Sequence, residues 1–126
     1  MIKLIIFDLD GVLVDARELH YQALNRALTS IDKKYEIVRD EHLSTYDGLS
    51  TTKKLNLLTK NKNLPIDLHD KIWQLKQRMT LKIIDGFSVD NRIKSILRSL
   101  KSEGFIIACA TNSIRETAKL QLIRKG

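Results

Sequence analysis

Two short runs of apolar residues, one near each end of the chain, are separated by stretches in which apolar residues recur every three or four positions. Residues 2–8 and 105–110 form these runs, and both are rich in branched side chains. Such runs are typical of strands that are buried on both faces in a parallel α/β sheet. The pattern therefore predicts one strand at residues 2–8 and a second at residues 105–110.

Helical spacing dominates the region between the two strands. Apolar residues at this spacing predict an amphipathic helix over residues 16–31. A short helix capped by Asp40, a second capped by Ser50 or Thr51, and a longest one opened by Pro65 are expected to follow. These segments predict an all-helical block of about seventy residues between the two strand signals.

The region after this block returns to an α/β pattern. Asp85 and Gly86 interrupt the helical spacing, and another helix follows, closed by Gly104. After the second strand, Ser113 is a predicted N-cap of a final helix, with Glu116 three residues later as in a capping box. The order strand, helical block, helix, strand, helix indicates the α/β class.

Composition and charge narrow the class of protein without changing this picture. The 126 residues are 43% apolar and 29% charged, which is typical of one globular domain, with or without a small insert. The net charge is +7, but lysine and arginine are spread along the chain and aromatics are only 6%, so we expect a solvated surface and no nucleic-acid partner.

The N-terminal run and the single cysteine bear on location. The run meets Asp8 too soon for a signal peptide or a membrane span, so a cytoplasmic protein without a membrane partner is expected. Cys109 is the one cysteine, which excludes an internal disulfide. Its apolar surroundings in the sequence predict a small buried core residue.

The chemistry is concentrated in residues 7–15, where Asp8 and Asp10 lie two positions apart at the end of the first strand. Open α/β sheets place their ligand sites at the carboxyl ends of strands. Two carboxylates can divide the work there, with one attacking phosphorus and the other transferring protons. Gly11 lets the backbone leave the strand at a dihedral angle that other residues resist.

Residues 7–15 closely resemble the first motif of the haloacid dehalogenase-like hydrolases. Residues 108–113 fit the second motif, in which a Ser or Thr closes the next core strand. The helical block stands where the subgroup containing phosphoglycolate phosphatase and β-phosphoglucomutase has an α-helical cap. Residues 15–20 resemble the start of that cap, and residues 48–52 resemble its substrate-facing loop.

The resemblance implies a role for each matching residue. Asp8 would be the nucleophile that forms an aspartyl-phosphate, and Asp10 would protonate the leaving oxygen. Mg²⁺ would bind the Asp8 carboxylate and the Asp10 backbone carbonyl. Thr111 would bind the phosphoryl group, together with Gly11 and backbone N–H groups near Asn112. Dehalogenases of the superfamily lack an acid at the position of Asp10, so phosphate-ester chemistry is implied.

The predicted cap contributes further candidates. His20 and Lys76 match positions where related enzymes have substrate-facing side chains, so both are candidate substrate-binding residues. An exposed or packed His20 and a solvated Lys76 are the alternatives. Lys53 and Lys54 follow the predicted cap loop and could meet a substrate phosphate, although two lysines on a helix are usually only surface residues.

The family also needs a third-motif lysine and fourth-motif acids, both on strands after the second motif. Only residues 112–126 follow Thr111, which is enough for one helix. We therefore expect a truncated enzyme, either an incomplete gene or an expressed fragment. The alternatives are a shortened protein with a binding role, or completion by a second chain. Without the charges of the third-motif lysine and the fourth-motif acids, we expect low activity. An uncovered apolar edge of the sheet favours self-association.

The sequence thus predicts a partial Rossmann-like core at residues 1–14 and 85–126, with an inserted α-helical cap at residues 15–84. The implied activity is a Mg²⁺-dependent phosphatase acting on a small phosphorylated metabolite. A phosphomutase of the β-phosphoglucomutase type and a non-catalytic assembly module are the competing hypotheses. The substrate, the choice between phosphatase and mutase, and the oligomeric state stay open.

Overall fold

The computed structural model describes residues 1–126. Its strands and α-helices are, in chain order, β1 (Leu4–Asp8), α1 (Ala16–Ile31), α2 (Arg39–Glu41), α3 (Thr51–Lys62), α4 (His69–Asp85), α5 (Asn91–Ser102), β2 (Ile106–Ala110) and α6 (Arg115–Lys125). Two 3₁₀ turns (Lys33–Tyr35 and Ile66–Leu68) and one π-helix (His42–Tyr46) complete the regular structure. No helix combines the length and the apolar character that a membrane span requires.

The two strands pair in parallel, with Leu4 opposite Ile106 and Asp8 opposite Ala110. Because the strands run in the same direction, their carboxyl ends lie at the same edge of the sheet. This arrangement confirms the α/β class and the small parallel sheet that the sequence predicted. It also brings the residues that follow β1 and those that follow β2 to one place.

Helices cover only one face of this sheet. Phe7 packs there against a small core that contains Leu9 and Ala118. On the opposite face, Leu4, Ile6 and Ile106 are exposed, Ile6 by 59%. The prediction that β1 is buried on both faces is therefore wrong for this chain, because no element covers the second face.

The chain divides into two compact units. The sheet unit comprises residues 1–17 and 81–126, and the helical unit comprises residues 18–80. The helical unit has its own apolar core, formed by Leu24, Ala27, Leu28, Tyr35, Ile37, Tyr46, Leu55, Leu58, Leu64 and Ile72. Tyr21 and Asn25 of α1 both donate hydrogen bonds to the Ile37 carbonyl, at 2.9 and 2.8 Å. These bonds tie α1 to the segment that precedes α2.

Several helix boundaries agree with the sequence, and others differ for local reasons. Helix α1 covers residues 16–31 as predicted, and Ser50 caps α3 by accepting a hydrogen bond from the Lys53 N–H. Asp40 is not a cap, because it lies within α2, whose N-cap is Val38. Pro65 precedes a 3₁₀ turn instead of opening the longest helix, which begins only at His69.

Two residues near the second strand also differ from expectation. Cys109 is exposed and not a core residue, because the sheet has no further strand beside β2 to cover it. Ser113 is not the cap of the final helix. That helix begins at Arg115 with Ile114 at its N-cap position and without a side-chain cap. The Ser113 hydroxyl is instead part of the site described below.

Candidate active site

A tight turn follows β1 and fixes the backbone around the two aspartates. The carbonyl oxygen of the fully buried Leu9 accepts three N–H groups at 3.0–3.3 Å, from Val12, Leu13 and Val14. The Gly11 N–H donates to the Val14 carbonyl at 2.7 Å. Gly11 has φ +77°, in the left-handed region that glycine adopts without steric cost. The sequence expectation that Gly11 lets the chain leave the strand agrees with this turn.

Asp8 is exposed at the carboxyl end of β1. Its Oδ1 accepts a hydrogen bond of 2.7 Å from the N–H of Leu9. Because the Leu9 backbone is itself held by the turn, one oxygen of the Asp8 carboxylate has a fixed position. A solvent-accessible carboxylate with one oxygen held in this way is suited to nucleophilic attack through the other oxygen.

Asp10 and the residues after β2 are joined by a short network of hydrogen bonds. The Ser113 hydroxyl donates to Asp10 Oδ2 at 2.9 Å. The Ser113 N–H donates to the Thr111 hydroxyl oxygen at 3.1 Å. The structure therefore brings the two sequence motifs together, and Thr111 and Ser113 lie in one turn beside Asp10.

Ser113 is a site residue that the sequence reasoning assigned to a different role. The second motif includes it, but a serine just before a predicted helix favoured an N-cap. Only the strand pairing, which aligns the ends of β1 and β2, brings Ser113 to Asp10. Asn112, between Thr111 and Ser113, is exposed.

His20 and Lys76 lie in the helical unit and not in the sheet unit that contains the two aspartates. His20 is half-buried on α1. Lys76 is buried on α4, which differs from the alternative of a solvated lysine. The hydroxyl of Thr80 donates to the Lys76 carbonyl at 2.8 Å, one turn along the helix. Their assignment as substrate-binding residues stays a prediction.

The side chains near Asp8 offer oxygen atoms as metal ligands, which is the donor type that Mg²⁺ prefers. No cluster of three or more His, Cys, Asp or Glu side chains could hold a metal ion by itself. Mg²⁺ is commonly bound by one or two carboxylates together with substrate phosphates and water. The Asp8 carboxylate and the Asp10 carbonyl are oxygen donors of this kind, and their assignment as Mg²⁺ ligands stays a prediction.

The negative charge at this edge of the sheet affects the pKa of the Cys109 thiol. Desolvation of the thiol raises its pKa, and the negative charges of Asp8 and Asp10 raise it further. The sulfur therefore lies within the field of both carboxylates. Concentrated negative charge at the end of β1 is what a divalent cation would neutralise.

The sequence of the whole site matches a known family. A model of the haloacid dehalogenase-like hydrolases matches residues 5–126. The chain belongs to this family. A comparison with curated protein sequences gave no match.

Solved structures with the same fold agree with this assignment. CbbY from Rhodobacter sphaeroides, as a mutant in complex with xylulose-(1,5)bisphosphate, has a TM-score of 0.73 and 20% identity, over 98% of this chain and 57% of its own. β-Phosphoglucomutase from Clostridium difficile has a TM-score of 0.71 and 24% identity, over 100% of this chain and 57% of its own. CbbY from Rhodobacter sphaeroides in complex with phosphate has a TM-score of 0.71 and 22% identity, over 96% of this chain and 56% of its own. This haloacid dehalogenase-like chain thus spans just over half the length of these proteins.

Proposed function

We propose that this chain contains the nucleophile half of a Mg²⁺-dependent phosphatase that hydrolyses the phosphomonoester of a small metabolite. The observation that supports the proposal best is the parallel pairing of β1 and β2, which puts Asp8, Asp10 and Thr111 at one edge of the sheet. The hydrogen bond from Ser113 to Asp10 connects the two motifs directly. Carboxyl ends of parallel strands are the usual ligand site of such sheets.

In the proposed reaction, a carboxylate oxygen of Asp8 attacks phosphorus and the ester oxygen leaves. Asp10 gives its proton to that oxygen, so the first step yields a neutral alcohol and an aspartyl-phosphate on Asp8. Water then attacks phosphorus while Asp10 takes back a proton, which releases phosphate and restores Asp8. Thr111 and the backbone N–H groups that follow it would bind the phosphoryl oxygens.

The Asp8 carboxylate and the Asp10 carbonyl would hold Mg²⁺, which when bound offsets the repulsion between an anionic nucleophile and an anionic phosphate. The helical unit would be the cap, with His20 and Lys76 as substrate-binding side chains. A phosphomutase would use the same Asp8 chemistry with a sugar hydroxyl in place of water. The similar structures, CbbY in complex with a bisphosphate and β-phosphoglucomutase, are compatible with either acceptor.

The first test is phosphate release from an aryl phosphate by the purified chain, with and without Mg²⁺, beside an Asp8→Asn control. Turnover that requires both Mg²⁺ and Asp8 would support the proposal. Turnover that Asp8→Asn leaves unchanged would contradict it, because the nucleophile would then lie elsewhere.

A second measurement does not depend on turnover. Trifluoroberyllate imitates a phosphoryl group on a carboxylate, and fluorine NMR detects its binding. We expect Mg²⁺-dependent binding to the wild-type chain and none to Asp8→Asn. Equal binding to both proteins, or to neither, would remove the support for Asp8 as the phosphorylated residue.

A further inference from the structure

One face of the two-stranded sheet is apolar, and no element of this chain covers it. The register puts Leu4 beside Ile106 and Ile6 beside Ala108, and alternation along the strands puts all four on the same face. Leu4, Ile6 and Ile106 are 49%, 59% and 65% exposed. Phe7, on the other face, packs against the small core. Leu4, Ile6, Ile106 and Ala108 therefore form one continuous apolar surface, the bare face.

The chain exposes more surface than a compact monomer of its mass. Its accessible surface is 8348 Å². A compact monomer of 14.5 kDa is expected to expose about 6,900 Å². The excess of about 1,400 Å² is larger than the roughly 800 Å² that each partner contributes to a stable interface of standard size. The surface that remains to be buried is therefore sufficient for a stable dimer.

The sheet also has two open edges, because each strand pairs only with the other one. Backbone groups at an open edge form hydrogen bonds with water, so pairing them with another strand gives a small net gain in free energy. Apolar side chains in water have no such compensation, and their burial is the main driving force for association. We therefore expect a partner to cover the bare face and not an edge.

The charges around the bare face favour a second copy in the opposite orientation. Lys3 precedes β1 and Asp8 ends it, and both are exposed. The face therefore has a positive charge near its amino end and a negative charge at its carboxyl end. A two-fold axis across the strands would put each end over the oppositely charged end of the partner. The bare face itself has no charged side chain, so the net charge of +7 puts no like charges into the contact.

We propose that two copies of this chain associate through the bare face, with their sheets packed face to face and their strands antiparallel across a two-fold axis. Sheets that pack in this way lie about 10 Å apart, with strand directions within about 30° of each other. The self-association expected from the sequence is thereby assigned to a face of the sheet instead of its edge. The proposal does not depend on Asp8 chemistry, so it holds or fails separately from the proposed function.

Analytical ultracentrifugation of the full chain over a concentration series is the first test. We expect an equilibrium between monomer and dimer. Ile6→Glu should raise the dissociation constant at least about a hundredfold, because its carboxylate would be buried without a partner. Ile123→Glu is the matched control, since it makes the same change at a residue of α6 that is 71% exposed. Its dissociation constant should equal that of wild type.

A second measurement uses the wild-type chain, so its result does not depend on whether a variant folds. A soluble paramagnetic agent broadens the NMR signals of exposed methyl groups. The methyl groups of Leu4, Ile6 and Ile106 should become protected from this agent as the protein concentration rises through the dissociation constant. The methyl groups of Ile123 should stay accessible at every concentration.

Cys109 distinguishes the bare face from the open edge of β2. Its register partner is Phe7, so its side chain points away from the bare face. Packing through the bare face would keep the two Cys109 thiols apart. Antiparallel pairing of β2 with its own copy would instead bring them close together. We therefore expect no disulfide-linked dimer under mild oxidation.

A chain that stays monomeric at every concentration would overturn the proposal. Equal dissociation constants for Ile6→Glu and Ile123→Glu would do so as well, since the contact would then lie away from the bare face. Efficient cross-linking through Cys109 would assign the association to the edge of β2. Growth into larger assemblies would also contradict the proposal, because a two-fold contact closes at two copies.

Discussion

Ser113 Oγ donates a hydrogen bond of 2.9 Å to Asp10 Oδ2, although the two residues are 103 positions apart in the chain. The bond joins the turn after β1 to the turn after β2. A hydroxyl that donates to a carboxylate fixes the rotamer of the acid as well as its distance. We therefore regard Ser113 as a positioning residue for Asp10.

Removing this hydroxyl should weaken the fold by a measurable amount. We expect Ser113→Ala to lower the free energy of unfolding by about 1 kcal/mol, because a partly buried hydrogen bond to a charged acceptor is lost. Urea unfolding checks the value. Ser95→Ala, on an exposed face of α5, is the control and should show no such loss.

A double-mutant cycle then tests whether the effect comes from Asp10. Ser113→Ala and Asp10→Ala should together cost less than the sum of the single changes, with a coupling of about 1 kcal/mol. Additive costs would mean that the contact contributes nothing and that Ser113 acts through another neighbour.

The turn after β1 depends on the backbone conformation of Gly11. Gly11→Ala should cost about 1 kcal/mol of stability, because alanine resists φ +77°. The added methyl group would meet no atom within 4 Å, so steric contact does not contribute to this cost. Gly86→Ala is the matched control. Its φ is not in the left-handed region and its new Cβ would make an ordinary 3.5 Å contact, so a similar loss there would contradict the explanation.

The start of α3 depends on one side chain. Ser50 Oγ accepts a hydrogen bond from the Lys53 N–H at 3.3 Å. Ser50→Ala should therefore lower the unfolding free energy by about 1 kcal/mol, the usual cost of losing an N-cap. Thr52→Ala removes a neighbouring exposed hydroxyl that caps nothing, and thermal unfolding of the two variants should separate them.

The pair formed by Glu18 and Arg39 predicts a pH dependence of stability. The hydrogen bond from Arg39 lowers the pKa of Glu18 from 4.5 to about 2. A carboxyl whose pKa is lower in the folded state stabilises the fold above its unfolded pKa, and this stability is lost as the pH falls through 4.5 toward 2. Glu18→Gln should be less stable than wild type at neutral pH, by a small amount because both side chains are half-exposed.

Urea unfolding over a pH series measures this difference. It should shrink as the pH approaches the folded pKa and then vanish. A difference that stays constant down to the lowest pH would show that the pair does not titrate as described, and Asp40→Asn, at an exposed neighbouring acid, serves as the control.

The sequence predicted the elements whose pattern is local. Helix α1 was predicted at its observed bounds because its apolar residues repeat at the helical period. Ser50 or Thr51 was predicted as the cap of α3, and Ser50 is the one that caps it, through the Lys53 N–H three residues away. The first motif was recognisable because both aspartates, the glycine and the preceding strand are contiguous.

Features that depend on distant parts of the chain were missed or misjudged. A serine before a helix looks like an N-cap, and only the pairing of β1 with β2 reveals that Ser113 contacts Asp10. Apolar residues such as Ile6 indicate a strand but not which of its faces is covered. Lys54 resembles a surface lysine in sequence, since its burial depends on how α3 packs within the helical unit.

The exposure of Cys109 has a practical consequence. As the one thiol of the chain, it can be modified selectively without first replacing other cysteines. Its pKa is raised by desolvation and by the charges of Asp8 and Asp10, so alkylation should be slow at neutral pH. A cation bound at the end of β1 would reduce that effect and speed the modification. The rate of Cys109 alkylation would therefore report how much negative charge remains at the end of β1.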